Sequence, residues 1–156
     1  VTKATPINSH AALLLDYVDK EGERKKFLVI SDLHLGAETE IIKKGINIDS
    51  RGVYRDLLRE IEELKALHSF NGIIILGDLK SSIVHITKNE WKTIPMFLKE
   101  LSLDMDIFLI PGNHDVNINL LVPEPVIVCK SSGLVIDDIL LIHGHTIPEK
   151  TQYNIN

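Results

Sequence analysis

The chain has 156 residues with a formal net charge of −5, and its 44% hydrophobic and 25% charged content is ordinary for a soluble globular protein. That length suits a single domain, residues 1–156, with a sizeable core. Basic clustering is confined to Arg24-Lys25-Lys26 and Lys43-Lys44, which excludes a broad footprint for long nucleic acid and leaves a focused nucleic-acid site open. The single Cys129 excludes an intramolecular disulfide framework, and no apolar stretch is long enough to span a membrane. No signal-peptide pattern opens the chain, so a reducing cytoplasmic setting without a membrane partner is expected.

The apolar run Ala11 to Leu15, a polar connection containing Gly22, and the run Lys26 to Ser31 predict two strands paired antiparallel. Residues Gly36 to Asp49 lack clean periodicity and read as a loop. From Val53 the period becomes helical, with Val53, Leu57, Ile61, Leu64 and Leu67 on one face. Asn71-Gly72 ends that helix and opens Ile73-Ile74-Ile75-Leu76, a strand expected to be buried on both faces. Thr87-Lys88-Asn89-Glu90 has the form of a capping box. The helix behind it is expected to bury Trp91, Ile94, Phe97, Leu98 and Leu101, with Pro95 predicting a kink or a later start. Ile107 to Ile110 is the next strand. The runs Val126 to Cys129, Leu134 to Ile136 and Ile139 to Ile142 predict short strands, with Asp137-Asp138 as a hairpin turn.

Helices alternating with buried strands predict an α/β core, in which ligands sit at the carboxyl ends of the strands. Polar clusters fall at those ends: Asp32 and His34, Asp78 after Gly77, Asn113-His114-Asp115, and His143-Gly144-His145. In a strand, positions i and i+2 point the same way, so Asp32 and His34 would converge on one point. A mixed nitrogen and oxygen set without thiolate suits Mn, with Fe, Ni or Zn as other fits. A carboxylate that bridges two such ions, and a nearby His that does not ligate, would suit hydrolysis of a phosphate ester. His68 reads as a helix C-terminal dipole contact, and His10 as part of a loose N-terminal end. His85 reads as a surface residue, and Lys80 equally as a solvated loop residue or a phosphate contact.

Taken in order, Asp32-x-His34, Gly77-Asp78, Gly112-Asn113-His114-Asp115 and His143-Gly144-His145 resemble the calcineurin-like metallophosphoesterase superfamily. The fuller strings Ser-Asp-Leu-His-Leu-Gly-Ala-Glu and Gly-Asp-Leu-Lys are similar to its archaeal and bacterial branch of predicted phosphoesterases. The resemblance runs from Ala11 to Pro148 and implies a four-layer αββα sandwich with two divalent metal ions. It implies that Asp32 and His34 bind the first ion, that Asp78 bridges, and that Asn113 binds the second with a His of the His143-Gly144-His145 segment. His143 is favoured, because related phosphatases carry His-Gly-Gly with the ligand before the glycine; His145 stays open. His114 would be the general acid, with Asp115 orienting it. The implied substrate is a phosphodiester or phosphomonoester, nucleic acid included though not indicated by charge.

The sequence departs from the family pattern in one place. A further Gly-His-x-His segment, expected after the His143 strand, is missing from this chain. Either the chain is C-terminally truncated, which the intact remaining motifs favour, or the site is incomplete. In the second case a non-catalytic metal-binding scaffold or interaction module is the alternative function.

Overall fold

A computed structural model describes residues 2–46 and 50–147, leaving aside the side chains of residues 40, 50 and 51. Six strands form one sheet in the order β1-β2-β3-β4-β5-β6: β1 (Lys3–Ile7), β2 (Ala12–Val18), β3 (Arg24–Ile30), β4 (Gly72–Leu76), β5 (Asp106–Ile110) and β6 (Ile127–Val128). The β2–β3 pair is antiparallel, as expected, while β3 to β6 run parallel. The carboxyl ends of β3, β4 and β5 therefore share one end of the sheet.

Alternation along each strand sorts the core into two faces. Leu28, Ile30, Ile73, Ile75, Ile107 and Leu109 pack against α2 (Ser50–His68) and α3 (Lys88–Leu101). Phe27, Val29, Ile74 and Ile110 face the other way, toward Ile136 and Leu141 of the hairpin β7 (Leu134–Ile136) and β8 (Ile139–Leu141). Ile73, Ile74 and Ile75 are fully buried, so β4 is covered on both faces as expected. The result is a mixed α/β fold among the described residues, in which helices cover one face of the six-stranded sheet and the hairpin covers the other, three layers of the four-layer sandwich expected. No helix among them is long and apolar enough to cross a membrane.

Several expectations need correction. The segment taken as the loop Gly36 to Asp49 contains a short helix, α1 (Glu38–Lys43), and residues 47–49 lie outside the described part. An additional edge strand, β1, precedes the expected first one, so His10 sits in the β1–β2 turn, its Nε2 3.6 Å from Glu60. On α2 the buried ridge is Tyr54, Leu58, Ile61 and Leu64, whereas Val53 and Leu67 are exposed. The tyrosine ring takes the inward place that a purely apolar reading assigned to its neighbour.

Helix α3 starts at its capping box and runs through Pro95. An interior proline costs about 3 kcal/mol, and burying Ile94, Phe97 and Leu98 offsets that at about 1.5–3 kcal/mol each. Trp91, expected in the core, is 50% exposed, and the fully buried Glu90 takes the inward position. The buried positions 90, 93, 94, 97, 98 and 101 follow the helical period; the stripe begins on the carboxylate.

Candidate metal centre

Beyond Ile30 and Leu76 the segments leaving β3 and β4 stay locked together by backbone bonds. The N–H of Asp32 donates to Gly77 O at 3.0 Å, that of His34 to Asp78 O at 3.0 Å, and that of Leu35 to Leu79 O at 2.8 Å. Asp32, His34 and Asp78 all adopt left-handed backbone, with φ of 56°, 45° and 53°. Asp and His tolerate this region better than most residues, yet it costs energy, and such positions gather at functional sites. Asp32 and His34 thus converge by paired left-handed turns; neither lies in the strand that was expected to aim them.

Asp78 is the hub. Its side chain is almost fully buried, and Oδ1 accepts the backbone N–H of His114 at 2.9 Å. Around Oδ2 stand three imidazole nitrogens: His143 Nε2 at 3.3 Å, His34 Nε2 at 3.9 Å and His114 Nε2 at 3.9 Å. His34 Nε2 also lies 3.9 Å from Asp32 Oδ1. Ligand-type atoms of His34, Asp78 and His114 lie within 4.8 Å of one another, as do those of Asp32, Asp78 and His143. Two triads therefore share one carboxylate.

The imidazoles are held by their far nitrogens. His143 Nδ1 is 2.9 Å from Leu76 O, and His114 Nδ1 is 2.5 Å from Ser81 O. A carbonyl can only accept, so Nδ1 carries a proton in both rings, and Nε2 is the nitrogen each ring turns toward the Asp78 oxygen, as a lone pair whenever the ring is neutral. Lone pairs facing each other at 3.3 Å repel unless a cation or an added proton lies between them. The donor set therefore fits a divalent ion, and its back-bonding matches what orients metal-ligating histidines.

Two glycines make the approach feasible. A Cβ on Gly112 would stand 2.2 Å from Asp78 Oδ1, and one on Gly77 would stand 2.3 Å from His143 Nδ1. Gly77 also has φ +83°, where side chains are strained.

Residues 25–156 match the family model for calcineurin-like phosphoesterases. The chain belongs to that family. A solved structure, the Pseudomonas putida nuclease MPE, is similar over 88% of this chain and 64% of its own, with 17% identity and a TM-score of 0.49. The chain thus spans less than two thirds of that nuclease's length. No curated protein matches this calcineurin-like chain.

Of the residues expected at the centre of this calcineurin-like site, Asp32, His34, Asp78, His114 and His143 come together. Asp32 and His34 stand 3.9 Å apart as a pair, and the two triads that share Asp78 add His114 beside His34 and His143 beside Asp32. Asn113 is exposed on the loop between Gly112 and His114. His145 is exposed, with its ring 5.6 Å from that of His143 and outside both triads. Asp115 is a correction. Its carboxylate does not reach the His114 ring but accepts from the N–H groups of Gly112 at 2.9 Å, Lys80 at 3.1 Å and Leu79 at 3.3 Å. It ties the loop after β5 to the loop after β4, and the Ser81 carbonyl holds the His114 ring instead.

Two buried charges complete the support. Lys80 is fully buried, which corrects the expectation of a solvated loop residue. Its ammonium donates to Ser82 O; burial pushes its pKa down against the opposing pull of Glu90, Asp115 and Asp78. Glu90 accepts from the N–H groups of Ser81 at 3.1 Å, Ser82 at 2.8 Å and Thr87 at 2.7 Å, and from the Ser82 hydroxyl. Burial alone would raise its pKa, but the bonds from Ser82 and Thr87 outweigh it and hold the carboxyl below the usual range. The capping box marked Glu90 in the sequence; its grip on the loop beside His114 left no further sequence signal.

Proposed function

We propose that this chain is a metal-dependent phosphoesterase acting on phosphodiesters or phosphomonoesters. The observation that carries the reading is the convergence of three imidazole Nε2 atoms within 3.3–3.9 Å of Asp78 Oδ2. Asp32, His34, Asp78, Asn113 and His143 would hold two divalent ions, with Asp78 shared between them. The mixed oxygen and nitrogen donors favour Mn, and also suit Fe, Ni or Zn. When bound, such ions neutralise phosphoryl charge and make water a nucleophile at neutral pH.

The chain's own residues do the rest. His114 commits its Nδ1 proton to Ser81 O, so Nε2 alone is available to exchange a proton with substrate. We assign the protonation of the leaving oxygen to its doubly protonated imidazolium form, which carries a second proton on Nε2. The Nε2 proton passes to that oxygen and the ring returns to its Nδ1–H form, a step worth about 10²–10⁴-fold in rate. Gly112 and Asp115 keep the Asn113-His114 turn against Asp78. The test is hydrolysis of a generic phosphodiester and a generic phosphomonoester with Mn²⁺ and with chelator. Metal-dependent turnover is expected, and the faster ester identifies the substrate class; metal binding without turnover on either ester would favour the scaffold alternative.

A further inference from the structure

A groove of about 370 Å³ opens beside His114, within the roughly 300–1,000 Å³ range of small-molecule sites. Ser81, Ser82, Ile83, Val84 and His85 of the loop between β4 and α3 line it together with His114. Ile83 is 50% and Val84 72% exposed, so two adjacent apolar side chains stand in solvent at the edge of the metal centre. Single exposed apolar residues are commonplace. This pair differs because its loop is rigidly tied to the site: Glu90 holds the Ser81 and Ser82 amides, and Ser81 O holds the His114 ring.

The groove's charge is as telling as its shape. Among the described residues no Lys or Arg lines it, and its one carboxylate, Glu90, is fully buried and spent on the loop's own donors. A leaving group bearing further phosphates would find no Lys or Arg there, only the imidazoles of His85 and His114. An uncharged group with an apolar body would cover Ile83 and Val84 and remove them from water.

We propose that this groove is the leaving-group subsite and that it takes uncharged alcohols with an apolar body, with aryl groups as the class. The proposal rests on the phosphoesterase reading, in which His114 faces the leaving oxygen.

The test compares phenylphosphonate with methylphosphonate, neither of which is hydrolysed, by calorimetric titration of the Mn²⁺-loaded chain. Phenylphosphonate is expected to bind at least about tenfold more tightly, the equivalent of ~1.4 kcal/mol. Ile83→Asn and Val84→Asn, which add no charge, should each shrink that advantage, read as the ratio of the two affinities measured within the same variant. Leu103→Asp, at a position 78% exposed and outside the groove, should preserve it. Equal affinities in the parent chain, or an advantage that survives both groove substitutions undiminished, would overturn the subsite and leave the phosphoesterase reading standing. Failure of both phosphonates to bind would overturn both.

Discussion

Glu90 and His114 grip opposite ends of one peptide group. Glu90 Oε1 accepts the Ser82 N–H at 2.8 Å, and the carbonyl of that same peptide, Ser81 O, meets His114 Nδ1 at 2.5 Å. Hydrogen bonds in series polarise one another, so a carboxylate outside the metal cluster helps fix which nitrogen of His114 faces Asp78.

Glu90→Gln keeps one acceptor but loses the charge and one oxygen of the pair. It should destabilise the fold by about 1–3 kcal/mol, the cost of leaving buried donors unmet. It should also loosen the His114 ring from its Nδ1–H form. Long-range ¹H–¹⁵N spectra of the imidazoles check this, and a stability loss with an unchanged His114 tautomer would separate packing from orientation.

The same residue sets an acid limb. Its folded pKa lies below the ordinary glutamate value, so its contribution is present above the unfolded pKa and lost as pH falls through the folded one. Urea unfolding of the parent chain should weaken across that acid window. The limb should be shallower in Glu90→Gln.

Gly112→Ala tests the close approach to Asp78. The added Cβ would sit 2.2 Å from Oδ1 and 2.5 Å from the backbone N of Asp78, so the hub must move. Metal affinity should fall about 10–100-fold, the range for lost outer support of a site. Titration with Mn²⁺ measures it, and unchanged affinity would mean that Asp78 is not held by this contact.

His143→Ala and His145→Ala should behave differently. His143 faces Asp78 from 3.3 Å, whereas His145 is exposed outside both triads. The first substitution should weaken metal binding by at least about tenfold, and the second should leave it close to that of the parent chain. Reversed results would assign the ligand to His145.

What was legible in the sequence is what chemistry constrains to residue type: carboxylates and imidazoles directly after apolar β-branched runs. The capping box at Thr87 and the Asp137-Asp138 turn were legible for a similar reason, since local hydrogen bonding or backbone conformation selects those residues. Strand β1 escaped because four of its five residues, Lys3 to Pro6, are exposed and show no alternation. The inward turn of Glu90 and the outward turn of Trp91 ran against hydrophobicity, because the carboxylate is repaid by backbone donors brought in by the preceding loop. The burial of Lys80 and the reach of Asp115 depend on how two strand ends meet, and residue spacing along one chain does not record that.

The most direct measurement is Mn²⁺-dependent hydrolysis of a generic phosphodiester by the parent chain and by His114→Ala, with metal binding followed in both. The account predicts turnover in the parent that chelator removes, and a loss of at least about 100-fold in His114→Ala. Turnover by His114→Ala as fast as by the parent would contradict it.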